Sequence, residues 1–316
     1  MTEKRQKVLK WIKIIFLVLV AWFITKYFIK NYEDLKNLNL KINWIVFFVS
    51  MVFFFIYKIM LASLWHYITI MNGTAISYGK AITAYLYSIL GKYIPGKVFM
   101  LAARLVYYDK EGAKKRKVSI CFLIENILTL LGAALLFIIS LFFFPNEILS
   151  KYKYITIVLI ILFFISINPK IINMLLTIVE KVTKKTDLKI TVTYSQMIKL
   201  VMLFVINWII VGTGFYILVC SVYPIPISQA LYASGIFALA AIIGILSIFA
   251  PSGLGVREGI IVLGLSLIMP SEYAVIVSII SRLWSTIPEL ALAGMAFVYS
   301  KLAYNKYNDK GSINHD

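Results

Sequence analysis

Charged side chains inside long apolar runs are the residues of this sequence that could do chemistry. A central Arg or Asp in a membrane helix costs at least about 2.5–3.5 kcal/mol on insertion scales, so such residues usually have a function. Two apolar regions, residues 77–108 and 229–269, are interrupted near the middle, and most of the charges lie beside these interruptions or in the spans that follow. The candidate residues are Lys92, Arg104, Glu125, Arg257, Glu258, Arg282 and Glu289.

An anionic lipid head group is the ligand that these residue types favour. A broken helix offers unpaired N–H groups and the positive end of its dipole, and arginine binds phosphate through two parallel hydrogen bonds. Arg104, Arg257 and Arg282 would contact the phosphate, and the glutamates would balance their charge or exchange a proton. Pairs that only hold helices together remain an alternative. Lys58 also lies in an apolar run, but its stem is expected to reach the cytoplasmic face, so it is left out of the set.

Proline and glycine mark the two interruptions. Proline removes a backbone donor and restricts the residue before it, so a helix usually ends there. We expect each of the segments 77–108 and 229–269 to be either a re-entrant helical hairpin or a tight pair of spans. The helix-break residues are Pro95, Gly96, Pro251, Gly253 and Gly255.

Composition indicates an all-α integral membrane protein. Apolar residues make up 61% of the 316 residues, and the mean hydropathy is +0.88, too apolar for an ordinary soluble domain. The apolar runs are continuous rather than alternating, which favours helices over a barrel. We predict a single polytopic membrane domain, 1–316, with the two broken segments and about six full spans, near residues 11–29, 43–65, 118–144, 153–168, 199–222 and 273–300.

Basic residues set the predicted topology. The net charge of +18 is concentrated between and beside the spans, which indicates orientation signals and anionic lipid rather than nucleic acid. We expect a protein of the cell membrane in which three basic segments lie on the cytoplasmic side: the N-terminus (1–10), the loop 169–198 and the tail 301–316. The two broken segments then enter from opposite faces, as in an inverted repeat with a transport site near the midplane.

Signatures of catalysis and of cofactor binding are weak. The sequence has two histidines, His66 and His315, and two cysteines, Cys121 and Cys220. The cysteines lie in apolar runs, and two histidines are too few for a histidine-based metal cluster, so no metal site is indicated. The stretch Gly253-Leu254-Gly255 lacks the third glycine of a dinucleotide fingerprint. We therefore predict no catalytic residue, no metal and no cofactor.

Two stretches resemble a known family. Gly91-Lys92-Tyr93-Ile94-Pro95-Gly96, followed by Arg104, and residues 250–259 (APSGLGVREG) are similar to the hallmarks of the lysylphosphatidylglycerol synthase transmembrane, or flippase-like, family. The resemblance covers roughly residues 8–302. It implies a membrane module that, in the bacterial multiple peptide resistance factor, translocates aminoacylated phosphatidylglycerol to the outer leaflet, a role in antibiotic resistance. A separate soluble domain of that family transfers lysine from charged tRNA.

The resemblance and the charges together lead to a functional prediction. The sequence ends about 15 residues after its last predicted span, so we expect a stand-alone module without the soluble aminoacyltransferase domain. It is predicted to translocate an anionic or aminoacylated phospholipid, or a lipid-linked intermediate. The alternatives are a phosphatidylglycerol lysyltransferase-type or other lipid-modifying transferase, acting with a soluble or membrane partner, and a scaffold that binds anionic lipid.

Overall fold

The structure is a computed structural model that describes residues 42–93, 98–143, 153–174, 177, 192–247, 253 and 255–312. Nine α-helices are numbered here in chain order. The helices before the long loop are α1 (Trp44–Met71), α2 (Tyr78–Ser88), α3 (Val98–Asp109), α4 (Lys115–Phe142) and α5 (Lys153–Ser166), and those after it are α6 (Tyr194–Val222), α7 (Ala230–Leu246), α8 (Val256–Leu265) and α9 (Ser271–Ser312). No strand occurs in these ranges, so the predicted all-α class is confirmed.

Five helical stretches of the described chain are long and apolar enough to cross a bilayer: Trp44–Met71, Lys115–Phe142, Tyr194–Val222, Ile227–Leu246 and Ser271–Ser300. Four correspond to predicted spans. The fifth is the first half of the broken segment 229–269. The predicted span 153–168 appears as the 14-residue α5, about 21 Å long, and the predicted first span, 11–29, lies outside the described residues.

The first broken segment is a hairpin of two short helices. Helix α2 has 11 residues and continues into a 3₁₀ turn, Ile89–Tyr93, and α3 has 12 residues. At 1.5 Å per residue α3 is about 18 Å long, and α2 with its 3₁₀ turn, which rises about 2.0 Å per residue, is about 26 Å long, so both arms are shorter than the roughly 30 Å apolar layer. The two helices pack against each other, so their lengths favour a re-entrant hairpin. Pro95 and Gly96 lie outside the described residues.

Glycine allows the hairpin to close tightly. A Cβ on Gly91 would lie 2.5 Å from the backbone nitrogen of Met100 and 2.7 Å from the carbonyl carbon of Phe99. The 3₁₀ turn therefore packs backbone to backbone against the first turn of α3. Any side chain at this position would push the two halves apart.

The second broken segment is asymmetric. Helix α7 has 17 residues and α8 has only 10, and the two pack together. Gly253, between them, has a positive φ of 70°, and a Cβ there would lie 2.6 Å from the Cα of Gly244. Both features require glycine. Pro251 lies outside the described residues.

Helix α9 contacts both broken segments. It packs against α2 and the 3₁₀ turn of the first segment, against α8 of the second, and against α1 and α6. Its buried Trp284 joins an aromatic core with Phe54, Phe215 and Phe237, whose ring centroids lie 4.8, 6.1 and 5.5 Å from that of Trp284. Charged residues on α9 are thereby fixed between the two segments.

Candidate functional site

Glu289 of α9 is a carboxylate shared by two lysines. One carboxylate oxygen lies 2.8 Å from Nζ of Lys58 on α1, and the other pairs with Nζ of Lys92 in the 3₁₀ turn. The Glu289 side chain is 1% exposed, and the lysine side chains are 12% and 21% exposed. Both oxygens of a buried acid are therefore neutralised by cations from different segments.

Lys58 was missed by the sequence analysis, and the expectation that it reaches the cytoplasmic face is wrong. The predicted span ended at residue 65, but α1 continues to Met71, so Lys58 lies about 20 Å from either end of the helix. A lysine stem cannot cover that distance. Its ammonium instead lies 5.3 and 5.1 Å from the ring centroids of Phe54 and Tyr57. The central position in the helix was the signal that could have identified it.

Glu258 ties the second broken segment to α9. One carboxylate oxygen accepts a 2.7 Å hydrogen bond from the backbone N–H of Gly255, which precedes α8, and the other accepts from Nε of Arg282. A glutamate in the first turn favours helix formation because it meets unpaired N–H groups. Glu258 is thus both the cap of α8 and the ion-pair partner of a residue on the last helix.

Arg257 differs from its neighbours. Its guanidinium lies 4.7 Å above the ring of Phe237 on α7, it makes no ion pair within the described part of the chain, and its Nε is buried without a hydrogen-bond partner. It interacts electrostatically with Arg282, Glu258 and Glu289. Among these neighbours, Arg257 is the cation that a bound anion would satisfy most directly.

These residues form one group, which we call the basic cluster: Lys58, Lys92, Arg257, Glu258, Arg282 and Glu289. Lys58 and Lys92 also interact electrostatically with Arg257, which joins the two ion-pair groups. With every side chain in its ordinary charge state, four cations face two carboxylates, a formal excess of two positive charges. Both broken segments contribute to it, together with α1 and α9.

Arg104 and Glu125 lie in a separate, closed pair. The guanidinium donates through Nη1 and Nη2 to the two carboxylate oxygens of Glu125 on α4, and through Nε to Oγ of Ser88 at 2.9 Å. The rings of Trp65 and Tyr85 lie 4.2 and 4.3 Å from the guanidinium carbon. Arg104 is 0% exposed.

The structure therefore divides the seven predicted site residues. Five belong to the basic cluster, which Lys58 completes, and two form the closed pair. Arg282 and Glu289 both lie on α9, but each is paired with a different element. Gly253 and Gly255 form the turn before α8, with φ angles of 70° and 78°. In the described ranges, no three His, Cys, Asp or Glu side chains converge as a metal site would require.

A comparison with protein families finds a match over most of the chain. A family model described as the lysylphosphatidylglycerol synthase TM region matches residues 10–293, a range that contains the whole basic cluster and the closed pair. No curated protein sequence matches the chain. The matched range covers most of the 316 residues. The chain therefore belongs to the lysylphosphatidylglycerol synthase transmembrane-region family, as a multi-pass membrane protein with a membrane lipid-related function.

Proposed function

We propose that the protein translocates a phospholipid between leaflets, and that the basic cluster binds its phosphate head group during transfer. The lipid class is an anionic or aminoacylated phospholipid of the lysylphosphatidylglycerol type. The observation that carries this proposal is Arg257, a partly buried cation whose buried Nε has no hydrogen-bond partner and which makes no ion pair among the described residues.

Charge is the first argument. Burying a cation without a partner is costly, and breaking a buried ion pair costs about 3–5 kcal/mol because the remaining charge is uncompensated. A bound anion would therefore stabilise a cluster that has a formal excess of two positive charges. A phosphate diester carries one negative charge and would offset part of this excess.

The helix end beside Arg257 is the second argument. Arg257 lies in the first turn of α8, where the helix dipole and the unpaired N–H groups are already positive. An arginine in this position adds to a field that favours anions, and it opposes helix stability. Glu258 supplies the acid that such a helix end normally requires, which leaves Arg257 available for a ligand.

The composition of the cluster is the third argument. Lys92 comes from the first broken segment, and Arg257 and Glu258 come from the second. Sites made of two discontinuous segments are typical of transporters that open alternately to either side. The proposal keeps the predicted topology, in which the segments enter from opposite faces and residues 1–10, 169–198 and 301–316 are cytoplasmic in the cell membrane.

The test is translocation in vesicles reconstituted with the purified protein. Acyl-chain-labelled fluorescent phosphatidylglycerol, and its lysyl ester, are followed by quenching of the outer leaflet with dithionite. A charge-assisted hydrogen bond contributes about 1.5–3 kcal/mol, so Arg257→Gln should slow transfer about tenfold to a hundredfold. Lys115→Gln, at a lysine whose side chain is 63% exposed, is the control and should leave the rate unchanged. Equal rates for Arg257→Gln and wild type would refute the proposal.

A cellular measurement separates translocation from synthesis. Leaflet-resolved lipid analysis is made with and without the gene, for aminoacylated phosphatidylglycerol and glycolipids together. Translocation predicts an unchanged lipid total and a smaller outer-leaflet share after deletion. Complete loss of one lipid species would instead support a transferase that acts with a partner.

A further inference from the structure

We propose that Ser88 and the Arg104–Glu125 pair position Lys92 against Glu289, and that Arg104 acts through Ser88 rather than by contact with lipid. We call this arrangement of Ser88, Arg104 and Glu125 the clamp. The expected effect of this arrangement on lipid transfer rests on the proposed function. The position of Lys92 relative to Glu289 can be measured independently of transfer.

The hydrogen-bond inventory of Ser88 shows why it can act as a link. Its hydroxyl donates to the carbonyl of Tyr85 at 2.6 Å, so its oxygen lone pairs remain available as acceptors. Nε of Arg104 donates to that oxygen at 2.9 Å. Ser88 is the last residue of α2 and Arg104 lies on α3, so this bond joins the two halves of the first broken segment. The Ser88 side chain is fully buried.

Arg104 is held in place from several directions. The fork of its guanidinium meets both oxygens of Glu125, and the rings of Trp65 and Tyr85 cover it. Trp65 is itself fixed, because its indole N–H donates to the hydroxyl of Tyr108 at 2.8 Å. With 0% exposure, the guanidinium offers a head group no surface. Its role in this arrangement is to hold neighbouring elements in position.

The position of Lys92 depends on this anchor through a short path. Ser88 directly precedes the 3₁₀ turn, and Lys92 is four residues further on. Gly91 packs against the backbone of Met100, so the turn is also supported from α3. Losing the bond to Ser88 frees the start of the turn and should displace Lys92 from Glu289. Lys58 is carried by α1 and should stay where it is.

Carbodiimide cross-linking measures this displacement directly. A lipid-soluble carbodiimide, dicyclohexylcarbodiimide, activates the Glu289 carboxylate, and a lysine amine attacks to form an amide. The carbodiimide takes up the elements of water and leaves as a urea. Peptide mass spectrometry then gives the ratio of Lys92–Glu289 to Lys58–Glu289 product. The two lysines compete for one activated carboxylate, so each sample contains its own reference.

Ser88→Ala should lower this ratio at least threefold. The matched control is Ser221→Ala. This serine is also buried, its hydroxyl donates to the carbonyl three residues earlier at 2.6 Å, and no arginine in the described part of the chain donates to it. Arg104→Lys, which keeps the charge but lacks Nε, should lower the ratio in the same direction. An unchanged ratio in Ser88→Ala, or an equal drop in Ser221→Ala, would overturn the clamp.

Translocation assays on the same variants keep the two proposals apart. A lower cross-link ratio with slower transfer supports both the clamp and a role for Lys92 in transport. A lower ratio with unchanged transfer supports the clamp and counts against the proposed head-group site. An unchanged ratio overturns the clamp, whatever the transfer rate.

Discussion

Replacing Arg104 and Glu125 by methionine, singly and together, tests the closed pair quantitatively. Arg104→Met would leave the Glu125 side chain, 7% exposed, buried without its cation. Glu125→Met would leave Arg104, 0% exposed, without its acid. The double replacement removes both charges and keeps most of the side-chain volume. We therefore expect the double variant to be much more stable than the sum of the two single destabilisations predicts.

The magnitude follows from burial. Removing one partner of a buried pair costs about 3–5 kcal/mol, whereas replacing both by apolar residues is often neutral or stabilising. Arg104→Met also loses the contacts of the guanidinium with the rings of Trp65 and Tyr85, worth about 0.5–2 kcal/mol. The coupling free energy between the two positions should therefore be at least about 3 kcal/mol.

A surface pair in the same molecule provides the control. Nζ of Lys80 lies 2.7 Å from a carboxylate oxygen of Glu111, but the side chains are 51% and 29% exposed. Exposed pairs typically contribute about 0.2–1 kcal/mol, so the Lys80→Met and Glu111→Met cycle should give a coupling in that range. Both cycles would be measured by reversible unfolding in mixed micelles with increasing sodium dodecyl sulfate, followed by helical circular dichroism.

A coupling below about 1 kcal/mol for Arg104 and Glu125 would refute the reasoning, since additivity is expected only of sites that do not interact. The result would mean that the pair is solvated or broken in the membrane. The clamp on Lys92 would then lose its anchor as well.

Three further outcomes are expected. Gly91→Ala should lower the unfolding free energy by about 1–3 kcal/mol, because its Cβ would lie 2.5 Å from the backbone nitrogen of Met100. Gly259→Ala should not destabilise the protein, because its Cβ would meet no described atom outside its own helix turn within 4 Å. Gly253→Ala should destabilise at least as much as Gly91→Ala, because it adds a φ of 70° to a 2.6 Å clash, and a neutral effect in the same unfolding assay would contradict the tight turn before α8. Lys58→Met should slow lipid transfer in vesicles about tenfold by reducing the positive excess, and an unchanged rate would leave that lysine a structural role only.

The class of the protein was predictable because the bilayer constrains sequence so strongly. Apolar runs near 20 residues must become helices that satisfy their own backbone. The four spans seen as long helices, and the position of the broken segments, followed from hydropathy and from Pro and Gly alone. The same reasoning located the charged residues worth attention, because a charge in an apolar run stands out without any knowledge of its neighbours.

Helix ends were less predictable, and one of them changed the site. The sequence placed the end of the second span at residue 65, where the run becomes more polar around His66, but α1 continues to Met71. Packing against other helices stabilises those additional turns. The longer helix buries Lys58 near its centre, which excludes the snorkelling that the sequence suggested.

The sequence by itself determined an all-α membrane protein with two broken segments and rare charges beside them. Only the tertiary structure decided which charges meet. Glu258 pairs with Arg282, Glu289 pairs with both Lys58 and Lys92, and Arg104 pairs with Glu125. The physical reason is that these pairings join separate helices. Which helices pack, and at what height, depends on side-chain fit across the whole bundle rather than on any local pattern.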